Sequence, residues 1–248
     1  MDAVNASQKQ AQVMDIGTLR RGENSGRNGY QWLKRDLANG VFKPGEKLPV
    51  RQLQERYNLS TGPLREALSQ LVAERWVSAT SHKGFRVALQ SLDELQDIYK
   101  ARANLEVMIV RLAIERGNDA WEASALSHFH TLSKALEIDD HTCRWNAWDT
   151  RQQEFHSAIA SGCNSKHLLQ VRSYLLDQAE RYRHLWLNCG DGSQTSLVTR
   201  CKEHSALLTA VLNRCPEEAC ELIRAHLLIQ VASITDADLG RSANQRSE

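Results

Sequence analysis

Residues 59–72 read LSTGPLREALSQLV, and this stretch decides the fold of the N-terminal third of the chain. Ser60 and Thr61 are good helix N-caps, and Pro63 fits the first turn of a helix, where its missing N–H costs no hydrogen bond. The apolar residues that follow recur at intervals of three and four, which predicts a helix with one buried face. Arg65 falls on the opposite face, so we expect it to be exposed.

Shorter patterns flank this helix on both sides. Apolar residues at helical spacing predict one helix that ends at Asn39 and a second that ends near Asn58. Residues 77–79 and 85–87 alternate in polarity around a turn, which predicts a two-stranded hairpin. Three helices followed by a hairpin form a winged helix-turn-helix, whose third helix enters the major groove of double-stranded DNA.

Charge is distributed unevenly along the chain. Residues 30–90 carry ten basic and five acidic side chains, whereas residues 91–248 carry 17 basic and 22 acidic ones. The formal net charge of all 248 residues is nevertheless only +1. A basic module joined to an acidic one predicts that the first meets a polyanion while the second has another task. An excess of five charges is also what an ordinary solvated surface can carry.

Helical spacing dominates the remainder of the chain. The predicted helices there cover 92–116, 120–137, 145–161, 165–188, 196–213 and 217–235. Helices of this length, separated by short breaks, are typical of an antiparallel bundle.

The expected fold is mainly α, with four segments. A flexible N-terminal tail covers residues 1–29, the winged helix-turn-helix covers 30–90, the all-helical bundle covers 91–236, and a flexible C-terminal tail covers 237–248. Charges interrupt the apolar stretches, so we expect no membrane-spanning helix. The N-terminus lacks the apolar core of an export signal, which predicts a cytoplasmic protein.

Three of the nine histidines stand out by position. His156, His204 and His226 fall in three different predicted helices, and each could contribute one imidazole to the interior of the bundle. Neutral imidazoles with one position left for an oxygen ligand suit a divalent metal ion, with zinc or nickel preferred. Ordinary half-buried histidines are the alternative interpretation.

Two runs in the basic module resemble the GntR superfamily of bacterial regulators. These are GVFKPGEKL at residues 40–48 and LSTGPLREAL at residues 59–68, followed by the wing glycine Gly84. Where the family usually has Arg-Thr, this chain has Thr61 and Gly62, so one base-reading guanidinium is missing. The residues that the resemblance implies as operator contacts are Arg51, Ser60, Thr61, Gly62, Arg65, Lys83 and Gly84.

The second module resembles the FCD effector domain of the FadR-type branch of this superfamily. The likeness lies in residues 155–156, 203–204 and 224–227, which surround His156, His204 and His226. It implies a divalent metal ion held by these three histidines. The family's usual aspartate four residues before the first histidine is replaced by Gln152, which leaves Gln152 or Asp149 as the fourth ligand.

An arginine that commonly meets the effector in this domain corresponds to Arg102. A fork of donors is what an anionic small molecule needs, although a pair with Glu106 one turn on is an equally good role for Arg102. The effector-binding residues that we expect are Arg102, Asn104, Glu106, Gln152, Tyr182 and Arg183. Within the branch the chain is most similar to the CsiR type of glutarate-responsive repressors, which implies glutarate or 2-hydroxyglutarate as the effector.

The expected function is therefore transcriptional repression by a homodimer that binds a palindromic operator. A small dicarboxylate or hydroxy acid in the bundle would relieve this binding, and the linker near residues 89–93 would transmit the change. One alternative is a metal-dependent hydrolase fused to a DNA-binding module. The other is a DNA-binding protein that responds to no ligand.

Overall fold

The computed structural model describes residues 25–80, 84–182 and 194–244, which form two compact units. The first unit contains the described residues up to Arg35 together with Lys47–Arg86. The second contains Asp36–Glu46 and the described residues from Val87 onward. Two predicted site residues, Lys83 and Arg183, lie outside the described residues, as do residues 1–24 and 245–248 of the predicted tails.

Three helices and a small sheet build the N-terminal unit. The helices are α1 (Ser25–Ala38), α2 (Val50–Tyr57) and α3 (Thr61–Ala73), and the strands are β1 (Lys47–Leu48), β2 (Val77–Thr80) and β3 (Gly84–Val87). The strand order is β1-β3-β2, and β1 runs antiparallel to β3 with Leu48 opposite Phe85. The unit thus has the predicted winged helix-turn-helix class.

The α3 helix has the predicted amphipathic form. Leu64, Leu68 and Leu71 are fully buried, while Arg65 on the other face is exposed. Before it, α2 ends at Asn58, whose left-handed backbone (φ 50°) closes the helix within a single residue. The buried face holds α3 in place, so its polar face is presented from a rigid element.

The structure differs from the prediction for this unit in two places. The helix α1 begins at Ser25, inside the predicted tail 1–29, and its Gly29 packs closely: a Cβ there would lie 2.5 Å from Leu59 Cδ1. The predicted hairpin is present as β2 and β3, and β1 adds to the edge of β3 to form a three-stranded sheet. A strand of two residues is too short to show an alternating pattern.

In the second unit, every described element from residue 92 onward is a helix. Its elements are α4 (Leu92–Arg116), α5 (Asp119–Ser133), a 3₁₀ turn (Lys134–Glu137), α6 (His141–Ser161), α7 (Lys166–Glu180), α8 (Gln194–Leu212) and α9 (Pro216–Asn244). The core lies where α4, α5, α6, α8 and α9 meet, and its largest fully buried side chains include Trp148, Phe155 and Ile109. Across the described ranges we find no helix with both the length and the apolar character needed to cross a bilayer.

Three predicted helix ends differ from the structure. The helix α6 begins at His141 rather than 145, because the Asp140 carboxylate accepts the Cys143 N–H at 2.7 Å and caps it. The predicted helix 165–188 leaves the α-helical path after Glu180. The predicted tail 237–248 is helical as far as Asn244, since one glycine costs a helix only about 1 kcal/mol and no proline follows Pro216.

Candidate functional site

The polar face of α3 presents the predicted DNA-contacting residues of the helix-turn-helix. Ser60 is the N-cap of α3, but its side chain makes no capping hydrogen bond within the described structure. Thr61 is exposed, and its hydroxyl accepts a hydrogen bond from Gln54 Nε2 at 3.0 Å. Gly62 and Arg65 are exposed beside it. The first turn of α3 is therefore an accessible polar surface of the kind that enters a groove.

Two further predicted DNA contacts lie elsewhere on this unit. The Arg51 side chain at the start of α2 is 91% exposed and forms only a long ion pair, 3.4 Å, with Glu55. Gly84 begins β3 with φ +79°, a left-handed conformation that glycine adopts without strain. Among the described residues, none has an atom within 4 Å of the position that a Cβ would take at Gly84.

In the second unit, three helices bring the predicted histidines together. His156 on α6, His204 on α8 and His226 on α9 each place one ring nitrogen within 4.8 Å of the others. The ring centroids are 4.7 to 5.1 Å apart, and the Nε2 atoms of His156 and His204 are 3.0 Å apart. We call these residues the histidine triad. Its spacing is compatible with one shared ion.

Hydrogen bonds at Nδ1 orient two of the triad rings. The Nδ1–H of His204 donates to the carbonyl oxygen of Arg200 at 2.7 Å, and the Nδ1–H of His226 donates to the Glu203 carboxylate at 3.1 Å. With the proton at Nδ1, the lone pair of each of these two rings lies at Nε2, the atom that can bind a cation. Carbonyl and carboxylate partners of this kind accompany most metal-binding histidines.

Burial favours the neutral form of two of the triad histidines. Desolvation first, and then the nearby His226, lower the pKa of His204 to about 3. The pKa of His156 is also well below its ordinary value, first through burial and then through His204 and His226. The hydrogen bond from His226 lowers the pKa of Glu203, so this carboxylate stays charged. Neutral imidazoles are the form that binds metal ions.

The fourth ligand position favours Gln152 over Asp149. Gln152 lies one turn before His156 on α6, and its buried Oε1 has no hydrogen-bond partner in the described part of the chain. Its amide Nε2 donates to Asp149 Oδ1 at 3.3 Å. The Asp149 carboxylate does not join the cluster of ligand atoms formed by the three histidines. Three imidazole nitrogens and one amide oxygen are a donor set that a four-coordinate divalent ion accepts.

A cavity of about 210 Å³ adjoins the triad. Of the predicted effector-binding residues, Arg102, Glu106 and Gln152 line it, and so do Asp149, His156 and His226. Glu106 does not pair with Arg102; its carboxylate binds Arg172 Nε at 2.7 Å, with both side chains buried. The structural role considered for Arg102 is thus taken by Arg172.

Arg102 is left available to a ligand. Its guanidinium lies 4.7 Å from the ring centroid of Tyr99, a cation–π distance, and its Nε is buried without a hydrogen-bond partner among the described residues. A buried donor that lacks a partner costs free energy, and an anion in the cavity would satisfy it.

Two other expected effector residues lie outside the cavity lining. Asn104 faces away on α4, where its side-chain oxygen accepts a hydrogen bond from Arg224 at 3.0 Å in an exposed position. Tyr182 is fully buried, and its hydroxyl donates to Glu94 on α4. Their role in effector binding stays a prediction that this cavity does not support, because helical spacing does not show which face of α4 or which side of α7 meets the cavity.

Tyr182 instead belongs to a network that joins the end of α7 to the start of α4. Arg181 Nη2 binds Glu94 at 2.8 Å, and the carbonyl oxygen of Arg181 accepts a hydrogen bond from Gln90 Nε2 at 2.6 Å. The Ser91 N–H donates to the Tyr182 hydroxyl at 3.5 Å. Burial, followed by the bond to Glu94, raises the pKa of Tyr182. We call these five residues the Arg181–Tyr182 network.

Sequence reasoning missed two residues of the site. Arg200 lines the cavity, and Glu203 orients His226. The spacing of Arg200 four residues before His204 places both on one face of α8, and this was the available signal. Nothing in the sequence shows that Glu203 reaches a histidine on another helix.

The buried triad predicts how the stability of metal-free protein depends on pH. Native His204 stays neutral down to about pH 3, whereas an unfolded histidine takes up a proton near pH 6.5. Its contribution to stability is therefore present above pH 6.5 and is lost as the pH falls towards 3. We expect His204→Gln to reduce the loss of unfolding free energy below pH 6.5 by about 1.4 kcal/mol per pH unit in urea titrations.

The control for this measurement is His167→Gln, because His167 is exposed on α7. This variant should keep the pH dependence of the parent protein. An equal slope in His204→Gln and parent protein would contradict the neutral triad.

Comparisons with known proteins agree with this architecture. Residues 27–87 match the model for bacterial regulatory proteins of the gntR family, and residues 97–228 match the model for the FCD domain. The chain is 49% identical over 213 residues to the HTH-type transcriptional repressor GlaR of Escherichia coli strain K12, covering 86% of this chain and 97% of that protein. It is 33% identical over 222 residues to the HTH-type transcriptional regulator BphR of Paraburkholderia xenovorans strain LB400, covering 86% of each.

Solved structures support the fold. The structure of Escherichia coli McbR/YncC superposes with a TM-score of 0.69 at 23% identity, and the match covers 85% of this chain and 97% of that one. The two family models together cover most of the described residues, and the model for the N-terminal unit is that of bacterial regulatory proteins. The chain therefore belongs to the GntR family of bacterial regulatory proteins, carries an FCD domain, and is a DNA-binding transcriptional regulator rather than an enzyme.

Proposed function

We propose that the protein is a repressor that releases its operator when a small dicarboxylate binds in the second unit together with a divalent metal ion. One observation carries the proposal: His156 and His226 of the triad and the unpartnered Arg102 line the same cavity. GlaR, which is 49% identical, is named a repressor, which supports repression as the direction of control. The resemblance to glutarate-responsive repressors favours glutarate or 2-hydroxyglutarate.

The histidine triad would hold the ion, with Gln152 Oε1 as the fourth donor. Imidazole ligands suit zinc or nickel, and the ion would supply positive charge to the cavity when bound. This charge matters because the lining contains three arginines against four carboxylates, a formal charge of −1 with neutral histidines. These residues are Arg102, Arg172, Arg200, Glu106, Asp149, Asp177 and Glu180. A divalent ion reverses the sign to +1, so we infer that anion binding requires it.

On DNA, we expect a homodimer on a palindromic operator, with one winged unit per half-site about one helical turn apart. Arg65 would reach a base edge or a phosphate from the exposed face of α3, and Thr61 would meet phosphate or a thymine methyl group. Arg51, Ser60 and Gly62 border the same surface. Lys83 and Gly84 would place the wing against the backbone.

Transmission of the signal is supported by the position of the Arg181–Tyr182 network. The last turns of α7 line the cavity through Asp177 and Glu180, and the next residues bind Gln90, Ser91 and Glu94. Gln90 and Ser91 lie in the linker that we expect to carry the change. A ligand that shifts α7 would therefore pull directly on this linker.

Two alternatives to this proposal were a metal-dependent hydrolase and a DNA-binding protein that responds to no ligand. The family assignment argues against the hydrolase, because the family consists of regulatory proteins. A repressor that responds to no ligand would not account for the buried Arg102 Nε and Gln152 Oε1 atoms, which have no hydrogen-bond partner among the described residues. Binding measurements separate this alternative from our proposal.

Dicarboxylate binding should depend on both the metal ion and Arg102. We expect saturating glutarate to stabilise metal-loaded protein by about 2.7 kcal/mol at 100 times its Kd, which a thermal-shift assay detects as a higher Tm. Removal of the ion, His226→Ala or Arg102→Gln should abolish the shift, while the exposed control His167→Ala should retain it.

Two outcomes would count against this. A full increase of Tm in metal-stripped protein would contradict the role of the ion. An unchanged Tm with every dicarboxylate on metal-loaded protein would contradict the effector assignment and favour a ligand-independent repressor.

Operator affinity should depend on Arg65. Loss of a bidentate base contact or a phosphate contact in Arg65→Ala should weaken binding about 10- to 100-fold. Fluorescence anisotropy at fixed salt, with a duplex selected from random sequences, measures this. Gln70→Ala is the matched control, because Gln70 is exposed further along the same helix. Equal affinities for the two variants would refute groove entry by this face of α3.

Tyr182→Phe should uncouple the effector from the operator. The substitution keeps the buried ring but removes the hydroxyl that contacts Glu94 and Ser91. We expect effector affinity to stay within about twofold, while the factor by which effector weakens operator binding falls about fivefold. Tyr174→Phe on the exposed side of α7 should change neither quantity. An unchanged factor in Tyr182→Phe would exclude the network from transmission.

A further inference from the structure

The cavity contains three arginines, and their partners differ. Arg172 is neutralised by Glu106 at 2.7 Å, and both side chains are buried. Arg102 and Arg200 have no carboxylate within 4.0 Å anywhere in the described part of the chain. Glu203, three residues further along α8, is hydrogen-bonded to His226 and interacts with Arg200 only through space. Arg102 and Arg200 are thus the two arginines of the lining that form no ion pair with a described carboxylate.

We propose that Arg200 is a second carboxylate-binding residue of this cavity and makes it select ligands with two carboxylates over ligands with one. This inference rests on the proposed function, since it concerns the same cavity and the same class of effector.

The surroundings of Arg200 support a role in ligand binding. Burial lowers the pKa of Arg200, which means that its charge is partly withdrawn from water. The nearby Glu203 carboxylate acts in the opposite direction and offsets part of this desolvation, and an anion in the cavity would offset more of it. In contrast, the partnered Arg172 needs no ligand.

The position of Arg200 fits this role. Arg200 lies on α8 and Arg102 on α4, so the two guanidiniums approach one cavity from different helices. Arg200 also lies one helical turn before His204, whose Nδ1–H donates to the backbone carbonyl oxygen of Arg200 at 2.7 Å. A cavity of about 210 Å³ is smaller than the roughly 300 Å³ at which drug-sized sites begin, so it suits a short diacid.

The two arginines would divide the ligand between them. One carboxylate would pair with Arg102 in every acid that binds, and only a diacid would offer a second carboxylate to Arg200. Because guanidinium–carboxylate pairs are bidentate and directional, a monoacid of equal length would leave Arg200 unsatisfied. The preference of the cavity for diacids over monoacids would then depend on the side chain of Arg200.

The test compares diacids with monoacids of equal chain length on the metal-loaded, full-length protein. Isothermal titration calorimetry measures succinate, glutarate and adipate against butanoate, pentanoate and hexanoate. We expect the parent protein to prefer the best diacid over its monoacid by about 10- to 100-fold, the range of one charge-assisted pair. Arg200→Gln should reduce that preference to within about threefold by weakening only the diacid.

Three further variants separate specificity from structure. Arg102→Gln should weaken both acids, because Arg102 binds the carboxylate that they share. Arg200→Lys should retain part of the preference, since it keeps the charge but loses the planar fork. Lys202→Gln, an exposed change on the same helix, should behave like the parent protein. Metal content and Tm of Arg200→Gln should match the parent, because the carbonyl that orients His204 is unchanged.

The outcomes distinguish this inference from the proposed function. If the parent protein binds diacids and Arg200→Gln keeps their preference, or weakens both acids equally, the role of Arg200 is overturned while the proposed function stands. If the metal-loaded parent protein binds none of the acids, the proposed function fails and this inference fails with it.

Discussion

The mutual approach of three buried imidazoles is the constraint on which the second unit depends. Their ring centroids lie 4.7 to 5.1 Å apart, a separation that three charged rings could not tolerate. Trp148 and Phe155 pack edge-on against His204 and exclude water from its ring, which keeps it neutral. The helices α6, α8 and α9 must therefore pack in one arrangement, and this arrangement directs ring nitrogens at a shared point.

The same packing sorts the charged residues of the cavity into two groups. Arg172 and Glu106 satisfy each other in a buried pair, which supports the wall of the cavity and would be costly to break. Arg102 and Arg200 form no such ion pair with a described carboxylate, and Glu203 acts on Arg200 only through space. Under the proposed function, the fixed pair gives the cavity its shape, the two arginines meet the anion, and the triad holds the cation that balances the excess of carboxylates.

Helix α7 connects this chemistry to the beginning of α4. One part of it faces the cavity through Arg172 and Asp177, and its end supplies Arg181 to the network with Glu94. The side chain of Arg181 is only 4% exposed, so its bonds act in surroundings that strengthen them. An element held at one end by a ligand site and at the other by buried hydrogen bonds is suited to passing on a displacement. Under the proposed function, α7 is the helix that carries the signal from the cavity to the start of α4.

The sequence by itself determined the local elements and the family. Caps, prolines and apolar spacing act within one or two turns, so residues 59–72 sufficed for the recognition helix, and most helices of the second unit lie close to their predicted bounds. The resemblance identified the three histidines of the triad, but their separations of 48 and 22 residues in the sequence do not show how far apart their rings lie in space. Only the tertiary structure decided that Arg200 faces the cavity, that Asn104 and Tyr182 do not line it, and that β1 joins the sheet. These outcomes depend on which face of each helix meets its neighbours and on pairing between distant segments, and neither leaves a periodic signal in the chain.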